Sequence, residues 1–236
     1  MSDEVMQDEG IETPTRLADR VAIDRKIAAG RDLSGADMSG AELAGMKFAG
    51  IKMPQADLSG ADLPGGIFAG ADMEGVNLNG ADLTGAKLMG VSMAKALLRK
   101  ARMTAARIMG VSLEQADLSG ADLSDAKLMG VNMEGVIARD ANLTAAKVAG
   151  TNLSRADFTG AQLTGTTFKR VEVTGADFTD ADTTGARSAK VDWAQAKVPP
   201  AKLPEPLPEV PAWLPGAIAG VAVVLLIIGL RRRRRS

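Results

Sequence analysis

Every fifth residue from Leu33 to Trp193 falls in one column, apolar until it decays through Thr183 and Ser188 to Trp193, and no insertion breaks the phase. The column reads Leu33, Met38, Leu43, Phe48, Met53, Leu58, Leu63, Phe68 and so on. Two residues before each centre stands a small aliphatic residue, as at Ala36, Ala41, Ile51 and Ala56, with a polar residue, often Asp or Asn, between. Two residues after the centre Gly recurs, as at Gly35, Gly40 and Gly45. A period of five matches neither the 3.6-residue helix nor the two-residue strand. It demands a unit that turns once per pentad, a short extended piece followed by a tight turn. Type II turns require φ > 0 at their third residue, which Gly supplies without a Cβ clash.

The segments Ala36-Asp37-Met38-Ser39-Gly40, Ala61-Asp62-Leu63 and Ala121-Asp122-Leu123 resemble the pentapeptide-repeat family, whose unit is A(D/N)LXX. The resemblance spans residues 31–197, with 33 consecutive units in unbroken phase. It implies an all-β fold, a right-handed quadrilateral β-helix with four pentads per coil. The centre and the small residue before it would point inward, and the other three positions outward. About eight coils at the ~4.8 Å spacing of paired strands make a rod roughly 40 Å long. Phe48 above Phe68, and Phe158 above Phe178, are then expected to stack.

Composition narrows the chemistry. The chain has no Cys, no His, no Tyr and 3% aromatic residues. Thiolate catalysis, disulfides, thiolate metal sites and imidazole acid–base chemistry are closed off. The Asp residues recur as ladders on convex faces, where solvation and turn hydrogen bonding account for them. The glycines belong to the pentad turn rather than to a phosphate loop. No catalytic, cofactor-binding or metal-ligating residue is assigned, no cofactor is expected, and the reading is non-enzymatic.

The ends differ from the repeat. Residues 1–12 form an acidic, unpatterned tail that reads as disordered. A short capping helix is expected over 13–30, with Thr13 as N-cap, Pro14 in the first turn, Leu17, Val21, Ile23 and Ile27 as apolar face, and Gly30 past its end. It would cover the first coil of the β-helix at 31–198. Trp193 is large enough to plug the last coil. Residues 199–211 are Pro-rich and read as a semi-rigid extended linker. Residues 212–230 carry no charge. Nineteen residues at 1.5 Å give ~28 Å, the length of a single-pass transmembrane helix. Trp213 suits one interface, and Arg231, Arg232, Arg233, Arg234 and Arg235, in the tail 231–236, form a cationic stop at the other. The expected location is the membrane, through this C-terminal anchor. Five Arg favour the cytoplasm for the tail, whereas residues 1–11 lack the hydrophobic stretch of a secretory signal. The repeats are read as cytoplasmic, with the opposite orientation open.

Comparing residues 20 apart exposes one unusual face. Lys47, Lys87, Arg107, Lys127 and Lys147 precede the apolar centre, interrupted by Ile67; Met89, Met109 and Met129 follow it; Gly50 to Gly150 form a third column. Exposed apolar rows mark contacts, and flexible Met suits adaptable binding. This flat face is the candidate interaction surface for a protein of unknown identity, a second copy of the chain, or anionic lipid. Copying of one coil motif without selection for binding would also produce it. The function read from these features is a membrane-tethered scaffold. Two alternatives stand beside it: a part of a bacterial secretion or envelope assembly, and the duplex-DNA mimicry by which some family members protect a topoisomerase. Mimicry asks for a strongly acidic rod, and residues 31–198 hold 20 acidic and 18 basic residues. Nucleic acid is not expected as a partner.

Overall fold

In the computed structural model, which describes residues 20–208, the five-residue period becomes a corner. The residue two after each centre from Leu33 to Ser188 has φ > 0, whether it is Gly40 at 65° or Ala105 at 57°. At three of the four corners in each coil, the amide three residues after the centre donates back to the centre's carbonyl. Ala36 N–H to Leu33 O (3.0 Å), Ala41 N–H to Met38 O (3.1 Å) and Met46 N–H to Leu43 O (3.0 Å) show the pattern. Among the described residues the fourth corner, after Phe48 and its equivalents, has no such bond.

That fourth side carries the regular sheet. Its strands are β1 (Lys47–Ala49), β2 (Ile67–Ala69), β3 (Lys87–Met89), β4 (Arg107–Met109), β5 (Lys127–Met129), β6 (Lys147–Ala149), β7 (Thr167–Lys169), β8 (Arg187–Ala189) and β9 (Glu205–Pro206). They pair in sequence order, all parallel, and through β8 each rung pairs with the residue 20 further on, as in Phe48 with Phe68. The other three sides pair through single residues, such as Asp32 with Lys52, Asp37 with Asp57 and Glu42 with Asp62. The result is a four-sided parallel β-solenoid of about eight coils with one short helix.

Centres and small residues fill the inside. Phe48 stacks on Phe68 at 4.9 Å and 11°, and Phe158 on Phe178 at 5.3 Å and 5°. Each fully buried Leu, Met or Phe contributes ~1.5–3 kcal/mol. Gly66 stands where other coils use Ala, Met or Thr, and a Cβ there would lie 3.0 Å from Leu63 O and 3.2 Å from the Phe68 ring.

Helix α1 (Arg20–Gly30) lies over the first coil, with Ile23 fully buried in the core and Ala22 and Ile27 packed against it. Val21, expected on the apolar face, is 51% exposed. Ile23 and Ile27 are four apart and share a face, while Val21, two residues earlier, points nearly the opposite way. The helix ends through Arg31 rather than a Gly past its end: Arg31 takes φ 55° and its N–H bonds Ile27 O at 2.9 Å. Thr13, Pro14, Leu17 and the tail 1–12 lie outside the described residues.

At the other end Trp193 plugs the last coil. Its ring meets Phe168 edge-on at 5.4 Å and Phe178 at 5.5 Å, and its indole N–H donates to Ser188 Oγ at 3.3 Å. The buried Thr183 hydroxyl donates to Lys202 O. These two polar centres are therefore satisfied by the closing segment. The semi-rigid extended linker expected over 199–211 is, in its described part, joined to the last coil. Glu205 and Pro206 pair with Arg187 and Ser188 as a ninth rung, Leu207 N–H bonds Ser188 O at 2.9 Å, and Pro200 and Pro204 are buried. Proline suits a terminal rung because it withholds a donor from any further strand. Among the described residues no helix is long and apolar enough to cross a membrane. The segment 212–230, Trp213 and Arg231–Arg235 lie outside the described residues.

Candidate interaction face

The residue before the apolar centre is most often an Asp or Asn bonded to its own turn on three sides, and is free of the turn on the fourth. At the bonded corners an Asp or Asn there accepts the N–H two residues on, closing a second small ring. Asp37 accepts from Ser39 N–H at 3.0 Å, Asp117 from Ser119 N–H at 3.0 Å and Asp182 from Thr184 N–H at 2.9 Å. Asp117 and Asp182 are held in their charged form. Burial works to raise the Asp117 carboxyl, but bonds from Ser119 and Arg99 bring it below the usual carboxylate range. Hydrogen bonds from Thr184 and Thr164 lower Asp182. The strand side has no bonded corner to cap, so the same position is open to other residue types.

It carries Lys47, Lys87, Arg107, Lys127 and Lys147, all exposed. Lys87, Arg107, Lys127 and Lys147 occupy successive rungs in register. Met89, Met109 and Met129 form a parallel row at 37%, 38% and 52% exposure. The structure thus brings all eight predicted face residues onto one sheet. Among the described residues none of these cations has an ion-pair partner. The salt bridges belong to the other sides: Arg99 to Asp117 (2.5 Å), Arg102 to Asp82 (2.6 Å), Arg139 to Asp157 (2.6 Å), Lys95 to Glu74 (3.3 Å), Lys197 to Asp177 (3.2 Å), and Arg155 to Glu134. Like charges facing each other across a sheet cost ~0.2–1 kcal/mol per pair, so the cationic row opposes the fold that presents it.

The face extends further than the sequence columns indicated. Lys169, Arg170, Arg187 and Lys190 stand on β7 and β8 and their corners. Strand residues and their corners from Lys47 to Lys190 thus hold nine cations and no carboxylate, leaving nine cations and all 20 carboxylates of residues 31–198 for the other sides. Lys169 and Arg170 were missed because they follow the centre, outside the column that carries Lys47 to Lys147. On the opposite side Leu97 and Ile137 are exposed beside Arg99 and Arg139. Their signal was two units 40 residues apart, 96–100 and 136–140, with an aliphatic residue where Asp is usual.

Eight copies of the family described as pentapeptide repeats match the chain between residues 32 and 175. No curated protein matches it. Among solved structures the chain is similar to HetL, a pentapeptide repeat protein involved in heterocyst differentiation regulation from the cyanobacterium Nostoc sp. strain PCC 7120. Identity is 23%, covering 78% of this chain and 98% of that one, with a TM-score of 0.47. It is also similar to QnrB1, a plasmid-mediated fluoroquinolone resistance protein, at 22% identity over 70% of this chain and 91% of that one, TM-score 0.40. A pentapeptide repeat protein from the Arabidopsis thaliana thylakoid lumen matches at 26% identity over 61% of this chain and 70% of that one, TM-score 0.24. These likenesses carry no argument about what the chain binds.

Proposed function

The chain belongs to the pentapeptide-repeat family, and on that footing we propose that it is a non-enzymatic, membrane-tethered rod that binds through its cationic strand face. The observation that carries this reading is the segregation of charge: nine cations and no carboxylate along β1 to β8 and their corners, with Glu205 on the closing rung, in a rod whose total is nearly balanced. A surface that lowers its own stability by stacking like charges is explained by a polyanionic or acidic counterpart. The tether is supported by sequence: 19 uncharged residues at 212–230, followed by Arg231 to Arg235, a length and a stop that fit a bilayer of ~30 Å. The repeats are placed on the cytoplasmic side, the leaflet that carries anionic lipid. Duplex mimicry asks for acid all round, and the strand face breaks that pattern.

Fractionation tests the proposal. The full chain should remain with membranes through a carbonate wash, and deletion of 212–236 should release it. Replacing Lys87, Arg107 and Lys127 together by Glu should leave the fractionation unchanged and abolish crosslinking between the strand face and its counterpart. Release of the full chain by carbonate, or unaltered crosslinking in the charge-reversed variant, would count against it.

A further inference from the structure

We infer that the strand face lies flat on an anionic lipid surface, its cations on headgroup phosphates and its methionines against the acyl boundary. The inference rests on the tethered-rod reading and names that rod's partner. Its first support is the place where the chain leaves the rod. Strand β9 is the ninth rung of the cationic sheet itself, and Leu207 is still bonded to Ser188 at 2.9 Å. Between Pro208 and the uncharged segment beginning at Ala212 stand only Glu209, Val210 and Pro211. The four steps from Pro208 to Ala212 span at most ~14 Å. A bilayer that holds 212–230 therefore begins within about three strand spacings of this sheet's end, and the rod cannot be carried away from it on a long spacer.

The second support is the charge at that end. Arg187 and Lys190 share the rung next to β9, and Lys169 and Arg170 stand one rung earlier. The cations closest to the tether are those that meet the headgroups first, and tethering makes the remaining contacts intramolecular. The third support is the pairing of chemistries. A row of Lys and Arg beside a row of exposed Met, with Gly90, Gly110 and Gly130 adding no bulk, offers charge and flexible apolar contact in one plane. Headgroup and acyl chain supply both counterparts. Nucleic acid supplies only the charge, and this face has no exposed aromatic ring on which a base could stack. A second copy would have to present carboxylates, many of which are engaged in their own corners and ion pairs.

Because the chain has no Cys, single labels report on chosen sides. Full-length M129C, on the strand face, and L97C, on the opposite face, are reconstituted into phosphatidylcholine vesicles with or without phosphatidylglycerol. Each carries an environment-sensitive dye, and the vesicles carry a headgroup-attached quencher. The label at M129C should be quenched several-fold more strongly when phosphatidylglycerol is present, and the label at L97C should not change. The difference should vanish at ~1 M salt, where the Debye length is ~3 Å, and in a K87E, R107E and K127E background. Equal, weak quenching at both positions in anionic vesicles, with the chain retained through a carbonate wash, would overturn the docking and leave the tether intact. Protection of M129C by duplex DNA or an acidic protein without quenching in anionic vesicles would overturn it equally. Loss of the chain from the vesicles on washing would overturn the tether, and the docking with it.

Discussion

The strand face and the face opposite it are made from the same pentad, yet one collects unpaired cations and the other collects capped carboxylates. The difference begins in the backbone. Opposite the strands, each corner closes with an amide-to-carbonyl bond, as from Ala61 N–H to Leu58 O at 3.1 Å, and the preceding Asp57 accepts the Ser59 N–H at 2.8 Å. The polar position there is spent on the turn. On the strand face the ladder runs over three residues and the corner is open, so the polar position takes no part in building the coil. The contrast teaches that a perfect repeat divides its surface into sides that hold the fold and a side that is free to carry something else.

The largest effect comes from attacking what both faces share. One residue inserted after Leu123 moves every later centre off its stack, because pairing runs at 20 residues from rung to rung. The far-UV β signal and the cooperative melt should both be lost. Next comes the contrast itself. Asp117 accepts Ser119 N–H at 3.0 Å, Ser119 Oγ–H at 2.6 Å and Arg99 Nε–H at 2.5 Å. Asp117→Ala should cost about 2–3 kcal/mol in chemical denaturation, the range for lost bonds to a charged group. Lys127→Glu on the strand face should instead raise stability by a few tenths of a kcal/mol, by relieving like-charge contacts with Arg107 and Lys147. Acid should separate the two faces in the same sense. Asp177 and Asp182 are lowered by bonds from Thr179 and Thr184, and Asp117 and Asp157 are lowered against the pull of burial. The unfolded chain then binds more protons than the folded one, so this stability is complete above the ordinary carboxylate pKa of ~3.9 and falls as pH drops through the lower folded values. Melting temperature should decline below about pH 4, and less so in Asp117→Asn.

Corner strain gives a smaller effect. Ala105 and Ala145 hold φ at 57° and 59° without being Gly. Ala105→Gly and Ala145→Gly should each raise the unfolding free energy by about 1 kcal/mol, the scale of the left-handed penalty less the entropy of the added Gly.

The stacked centres, the corner at every fifth residue and the eight residues of the cationic face were legible because they repeat at 5 or 20 residues. Most of what escaped the sequence does not repeat. That one corner in four lacks its bond is a backbone property with no residue of its own. The closing coil breaks the period: Asp177 pairs with Val198 and Arg187 with Glu205, offsets of 21 and 18 rather than 20. The proline run therefore read as a spacer when it is partly a rung. Lys169 and Arg170 join the face from positions that carry Ala or Met and Gly in earlier coils. At the first coil, Arg31 in a left-handed conformation replaced the expected Gly signal.

The claim that one side is reserved for an anionic surface is tested most directly by the native methionines. Met89, Met109 and Met129 are exposed on the strand face, while Met53, Met73 and Met93 are fully buried and serve as internal references. Peroxide oxidation of the full chain in vesicles, read by mass spectrometry, should slow several-fold at the three exposed sites when phosphatidylglycerol is present, with the buried three unchanged. Equal oxidation rates at Met89, Met109 and Met129 in neutral and anionic vesicles would contradict it.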